Sequence, residues 1–188
     1  MTSTVPGPGG LGADDQGALL AHARACIEAA LRGGPAPSAP PIPAATGGQG
    51  AFVTLRRTAD AALRGCVGLI RSDTSLVDVV SHVAVAAALH DDRFEPVGPQ
   101  ELPSLSIEIS VLGPVSPIRP EEVVVGATGL LIRAHGRQGL LLPQVATEHG
   151  WDRETFLGKA CIKAGLLPSA WREEGTEIQG FRCQVFGE

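Results

Sequence analysis

The residues best suited to chemistry surround one cysteine, Cys66, in the segment L-R-G-C-V-G at 63–68. If this segment is a strand, its side chains alternate between two faces, and Arg64 lies on the same face as the thiol. A cation beside the thiol favours the thiolate, which is the nucleophilic form of cysteine. Gly65 and Gly68 carry no side chain, so a ligand can approach the backbone closely. The pattern indicates a cysteine nucleophile beside an arginine that can bind an anionic substrate group.

A second polar group lies about eighty residues downstream, where Gln144 follows a proline and precedes Glu148 and His149. The amide of Gln144 can hydrogen-bond an oxyanion or a substrate carbonyl. Glu148 or His149 can act as the general acid or base that the sequence neighbours of Cys66 do not supply. We therefore expect these side chains to converge with Cys66 on one cleft.

A second arginine, Arg93, lies in the segment D-D-R-F at 91–94. Asp91 or Asp92 can orient it, and Phe94 can pack below it. Arg93 is therefore a candidate substrate-binding residue. The simpler alternative is a surface turn with an ion pair, which contributes little stability.

The simpler interpretation of Cys66 is structural, with the two glycines forming a bulge and the thiol filling space. The other cysteines are predicted to be small core hydrophobes, because each lies on an apolar pattern and free cysteine is usually buried. These are Cys26, Cys161 and Cys183. A metal site that combines Cys66 with His149 or Glu148 is a weaker alternative, since the spacing matches no metal motif. We expect no metal and no cofactor.

The apolar patterns predict the elements that hold these residues. Strands are expected at 52–55, 63–70, 105–111, 129–135, 139–142 and 181–185. Helices are expected at about 14–31, 76–87 and 153–164, with caps at Asp14 or Asp15, at Thr74 or Ser75, and at Asp152. On the second strand, the side chains expected opposite the thiol are Leu63, Val67 and Leu69. Because helices and hairpins intermingle with few strand–helix–strand crossovers, we predict an α+β fold with mostly antiparallel sheet.

Length and composition fit one domain, which can have two lobes. The chain has 188 residues, of which 44% are hydrophobic and 19% charged, enough apolar material to exclude wholesale disorder. A net charge of -5 argues against nucleic-acid binding. No 18-residue apolar run and no secretory signal are found, so we expect a cytoplasmic protein without membrane association.

Glycine and proline mark two irregular segments. Residues 1–12 are predicted to be a disordered tail, and residues 13–188 a single domain of two lobes. Residues 33–50 are predicted to be a loop, because they hold almost no bulky apolar side chain.

Several segments, in this order, resemble the AMMECR-one family in its bacterial form, over about residues 14–188. They are F-V-T-L at 52–55, L-R-G-C-V-G at 63–68, D-R-F at 92–94, I-S-V-L at 109–112, G-L-L-L-P-Q-V-A at 139–146, Trp151 and K-A-G-L at 163–166. The resemblance implies an α+β fold of two unequal lobes, with a cleft lined by the R-G-C-V-G segment. It implies no settled activity. It also implies a pathway shared with Memo-like and radical-SAM proteins, which are therefore expected partners.

Two functions remain open. The first is a cytoplasmic enzyme or enzyme component in which Cys66 attacks or holds a small anionic or carbonyl substrate. The alternative is a non-enzymatic binding or adaptor module, whose cleft takes a peptide or a metabolite. The reactivity of Cys66 toward a small alkylating reagent distinguishes the two.

Overall fold

The structure is a computed structural model that describes residues 10–42, 50–71 and 73–188. The helices are α1 (Ala13–Leu31), α2 (Leu76–Leu89), α3 (Pro143–Glu148) and α4 (Arg153–Lys163). The strands are β1 (Ala51–Arg57), β2 (Leu63–Leu69), β3 (Leu105–Leu112), β4 (Ser116–Pro117), β5 (Gly129–Ala134), β6 (Arg137–Leu141), β7 (Glu177–Phe181) and β8 (Cys183–Gly187).

The strands form two four-stranded sheets, in the orders β2-β1-β3-β8 and β4-β7-β5-β6. With the helices they confirm the predicted α+β fold and its antiparallel pairing. The chain divides into two compact units of unequal size. The first contains the described residues up to Val111 together with Gln184–Glu188, and the second is Leu112–Cys183.

The first unit packs α1 and α2 against its sheet. The apolar side chains of β1, such as Val53 and Leu55, are fully buried, as are Ile109 on β3 and Val80 on α2. Their burial against the helices forms the core of this unit. The alternation of buried and polar residues predicted for residues 105–111 holds from Leu105 to Ile109, but Ser110 is buried as well, so the polar face of this strand is half-exposed only at Ser106 and Glu108.

The second unit packs α4 against its own sheet, with Phe156 and Leu157 fully buried against Leu130 and Ile132 of β5. The predicted hairpin of β5 and β6 is confirmed. It turns at His135 and Gly136, both with positive φ, as a two-residue turn requires.

The predicted capping residue is observed at two of the three predicted helices. The side chains of Ser75 and Asp152 accept the backbone N–H three residues on, as predicted. Helix α1, however, begins after Gly12 rather than after Asp14 or Asp15. Both aspartates lie in its first turn, where a carboxylate interacts favourably with the helix dipole, so the same composition fits a start two residues earlier.

The single strand predicted at 181–185 is wrong, because the chain changes sheets there. Phe181 ends β7 in the second sheet and Cys183 begins β8 in the first, with Arg182 between them. Apolar residues alternate without a break across Arg182, so the pattern does not indicate that one strand ends and another begins there.

A bulge interrupts β2 where it begins. Residue pairing runs from Leu69 to Gly65, but Leu63 then faces Arg56, so Arg64 is the extra residue. The bulge moves Leu63 to the face of Cys66, instead of the opposite face on which alternation had placed it.

One residue near the end of the predicted tail and one within the predicted loop pack into the core of the first unit. Residues 1–9 and 43–49 lie outside the described residues, as does most of the predicted tail. Leu11 is buried and its N–H donates to Gln184 Oε1 at 2.9 Å. Residues 33–42 have no helix or strand, but Ile42 is buried in the core. In the part of the chain that the structure describes, no helix has the length and hydropathy to cross a membrane.

Candidate functional site

Cys66 lies half-buried on β2, directly opposite Thr54 on β1. Cross-strand partners share a face of the sheet, so the two side chains meet. The Thr54 hydroxyl donates to the Cys66 Sγ at 3.3 Å, and Thr54 itself is buried. This hydrogen bond links the thiol to the neighbouring strand.

Asp91 and Arg93 hold the peptide groups of Cys66. The Cys66 N–H donates to Asp91 Oδ2 at 2.8 Å, and Arg93 Nη2 donates to the Cys66 carbonyl at 3.2 Å. Arg93 Nε and Nη2 also donate to the Asp91 carboxylate at 2.8 and 2.6 Å. Asp91, one of the two aspartates expected to orient Arg93, is therefore the one that does so. Hydrogen bonds from Arg93 hold the pKa of the Asp91 carboxyl well below its usual value.

Arg64 is paired with a carboxylate rather than left free. Its Nε and Nη2 donate to Glu101 at 2.6 and 3.0 Å, a bidentate ion pair that lowers the pKa of the Glu101 carboxyl. The charge that was expected to act on Cys66 is therefore compensated. Arg93 also interacts electrostatically with Cys66, although its hydrogen bond with Asp91 contributes more to the raised pKa of its guanidinium.

Both guanidinium groups lie over the ring of Phe94. The Cζ atoms of Arg64 and Arg93 are 5.9 and 5.4 Å from the ring centroid. Both arginines, their carboxylates and Cys66 thus belong to one cluster within the first unit.

Each glycine beside Cys66 has a packing role. A Cβ on Gly65 would lie 2.1 Å from the carbonyl oxygen of Ala87 in α2. A Cβ on Gly68 would lie 2.2 Å from the ring of Phe52, which covers it. Close packing therefore explains both glycines, and a contact between either of them and a substrate stays a prediction.

One polar row crosses the sheet at the cysteine. Thr54 pairs with Cys66 on one side and with Glu108 of β3 on the other, so the three side chains share a face. A second carboxylate, besides that of Asp91, therefore lies on the thiol's face of the sheet, two strands away.

The second polar group lies in the second unit. Gln144 and Glu148 are on α3, and His149 is the residue that ends it. The His149 ring stacks on Trp151 at a centroid distance of 4.7 Å. The convergence of these three residues with Cys66 stays a prediction.

The remaining cysteines differ from Cys66. Cys26 and Cys161 are buried, which raises the pKa of both thiols. Cys183 is half-buried as a residue, less enclosed than expected, yet burial of its thiol raises its pKa to about 12. Among the described residues, no three histidine, cysteine or acidic side chains are grouped so as to hold a metal ion.

Sequence reasoning missed the direct partners of this cluster. Thr54 follows from the hairpin once its register is known, since residues 54 and 66 face each other. Glu108 follows in turn from the pairing of β1 and β3. Glu101 gave no signal, because it reaches Arg64 from a turn 37 residues away.

Comparisons with known proteins find similar sequences and a similar structure over most of the chain. The sequence model of the AMMECR1 family matches residues 20–186. A protein of Thermococcus gammatolerans is 43% identical over 148 residues, covering 74% of this chain and 72% of its own length. A protein of Methanothermobacter thermautotrophicus is 42% identical, covering 74% and 76%. The crystal structure of an uncharacterized protein, PH0010, from Pyrococcus horikoshii superposes with a TM-score of 0.84 at 38% identity, covering 90% of this chain and 89% of that one.

Proposed function

The chain belongs to the AMMECR1 family, which has no settled activity, and we propose that it is an enzyme or enzyme component that uses Cys66. Cys66 is the nucleophile or the covalent attachment point for a small anionic or carbonyl substrate. The observation that carries this proposal is the Thr54 hydroxyl, donated to the Cys66 Sγ at 3.3 Å.

The surroundings of the thiol support the same role. Its peptide groups are held by Asp91 and Arg93, so the backbone that carries the thiol is fixed relative to this cluster. Arg93, whose side chain is 54% exposed, is the proposed substrate-binding cation. Fixed geometry of this kind lowers the entropy lost on reaching a transition state.

The remaining roles rest on the sequence. Gln144 is the proposed hydrogen-bond donor to the substrate oxygen, and Glu148 or His149 the proposed acid or base. Glu148→Gln and His149→Asn are each expected to lower the turnover of a substrate, once one is found, without lowering the rate at which Cys66 is alkylated at high pH. A loss of alkylation in both variants would contradict these roles.

The test compares the alkylation rates of the four cysteines in one protein. The folded chain is treated with iodoacetamide at pH 7, and each cysteine is quantified by peptide mass spectrometry. Cys66 is expected to react at least about tenfold faster than Cys26, Cys161 and Cys183, whose thiols are kept protonated by burial.

Two variants at position 54 separate hydrogen bonding from shape. Thr54→Val keeps the volume of the side chain and removes the hydroxyl, and Thr54→Ser keeps the hydroxyl. A hydrogen bond to a charged acceptor contributes about 1.5 kcal/mol, so Thr54→Val should slow the alkylation of Cys66 about tenfold. Thr54→Ser should stay near wild type. If Cys66 reacts no faster than the buried cysteines, the proposal fails.

One observation favours the alternative of a non-enzymatic binding or adaptor module. Arg64 is paired with Glu101, so its guanidinium is not the free cation that the sequence suggested. An unreactive Cys66, together with a Cys66→Ser variant that still captures the same small molecules or peptides from extract, would support that function.

We further propose a cytoplasmic location, with Memo-like and radical-SAM proteins as partners, on the strength of the family resemblance. The test is to purify the tagged chain from its native host and identify the proteins that co-purify with it. The same purification with Cys66→Ser shows whether a partner binds the folded chain itself or only a chain that can use the thiol. Failure to retain either class of protein would contradict the proposed partnership.

A further inference from the structure

The charges around Cys66 cancel in pairs. Arg64 is paired with Glu101 and Arg93 with Asp91, each through two hydrogen bonds. The arginines keep both carboxyl pKa values low, so both acids are ionised at neutral pH and each arginine has a negatively charged partner.

The other charges on this face of the sheet also balance. Arg56 and Glu108 lie on the same face as Cys66, through their pairing with Leu63 and Thr54, and they contribute one charge of each sign. Asp92, beside Arg93, is exposed and acidic. The charged side chains named here, around Cys66 and on its face of the sheet, therefore carry no net positive charge.

From this we infer that the group brought to Cys66 is an uncharged carbonyl, not a carboxylate or a phosphate. The inference rests on the proposed function and decides between its two substrate classes. In the addition step, Sγ forms a bond to the carbonyl carbon and the carbon–oxygen π bond breaks. The electron pair goes to that oxygen, which also receives the thiol proton, so no further reactant is needed.

One donor in the cluster fits an uncharged acceptor. Arg64 Nη1 is buried and has no acceptor among residues 10–42, 50–71 and 73–188, whereas its Nε and Nη2 are used by Glu101. A buried N–H without an acceptor is unfavourable, so a ligand oxygen at this position would be stabilising. A ligand carboxylate there would place a second negative charge beside the Arg64 guanidinium, which already has Glu101. A carbonyl oxygen would accept the same hydrogen bond without adding a charge.

The experiment measures the charge preference of Cys66 directly. The rates of alkylation by iodoacetate, an anion, and by iodoacetamide, its uncharged counterpart, are divided to give a ratio. The reference is the same ratio for N-acetylcysteinamide, an uncharged small thiol. An uncompensated unit charge at about 7 Å changes a rate about threefold to fiftyfold for effective dielectric constants of about 80 to 20.

For the wild-type protein we expect a ratio within fivefold of the reference. Glu101→Gln removes one compensating charge and should raise the ratio at least threefold. The double variant Arg64→Gln, Glu101→Gln restores neutrality, and its ratio should return to that of wild type. Asp91→Asn is a second single variant with the same expected direction, in case loss of the Glu101 ion pair disturbs the fold.

The outcomes separate the two proposals. A reactive Cys66 with a ratio more than fivefold above the reference would overturn the inference and leave the proposed function standing, with an anionic substrate. A ratio more than fivefold below it would also overturn the inference, since it would assign a cation. A thiol inert to both reagents would overturn the proposed function and the inference with it.

Discussion

Replacing Gly65 by alanine tests whether this glycine serves packing or a ligand. The new Cβ would lie 2.1 Å from the carbonyl oxygen of Ala87, a separation that real Cβ atoms essentially never show. To reach ordinary contact, α2 and β2 must separate by at least about 1.3 Å, and the obstructing atom belongs to the backbone, so no side chain can rotate away. Overpacking of this kind costs about 1–3 kcal/mol, and a rigid obstacle favours the upper end.

Gly17 offers a matched control for the same substitution. It lies exposed within α1, and a Cβ there would meet nothing within 4 Å. Alanine is the better helix former by about 0.8–1 kcal/mol, so Gly17→Ala should stabilise the protein. The two substitutions therefore have opposite expected signs and differ by about 4 kcal/mol in the free energy of unfolding.

The assay is urea unfolding followed by far-ultraviolet circular dichroism. Tryptophan fluorescence serves as the reference for the second unit, because Trp151 and Trp171 both lie there. A Gly65→Ala protein within about 0.5 kcal/mol of wild type would refute the packing argument. If that stable variant also lost a bound ligand, Gly65 would be part of the binding site.

Deleting residues 36–39 should change the free energy of unfolding by only a few tenths of a kcal/mol, because loop-closure entropy varies slowly with length. Ile42→Ala, at the buried end of the same loop, should cost at least about 2 kcal/mol in the same urea experiment, and a deletion that prevents folding would show that the loop packs. Burial lowers the pKa of His22, against a smaller opposing effect of Asp78, so the unfolded chain binds the proton more readily than the folded one. Stability should be complete above about pH 6.5 and fall as the pH decreases below it. His22→Gln should lose this dependence, and an unchanged pH profile of that variant would contradict the assignment.

Local patterns predicted the elements that rest on local physics. The alternation at 105–109, the capping side chains of Ser75 and Asp152, and the turn at Gly136 each depend on residues close in sequence. The family resemblance added the expectation that the R-G-C-V-G segment lines a cleft.

The features that the sequence did not predict depend on contacts between distant residues. The ion pair of Arg64 with Glu101 forms because the bulge at the start of β2 and the turn before β3 happen to meet in space. The change of sheets at Arg182 depends on which strand edges are free when that segment arrives. Neither leaves a periodic trace in the chain.

The position of β8 has a consequence for how the protein is made. The first sheet takes its edge strand from residues that follow the whole second unit, and the chain leaves and returns at neighbouring positions, where the Gly113 N–H donates to the Arg182 carbonyl at 2.8 Å. During synthesis β3 is therefore complete while its partner on one side does not yet exist. At about 5–20 residues per second, the intervening residues take about 4–14 s to be translated. Throughout that interval β3 presents an unpaired strand edge, the feature most prone to pairing with another chain.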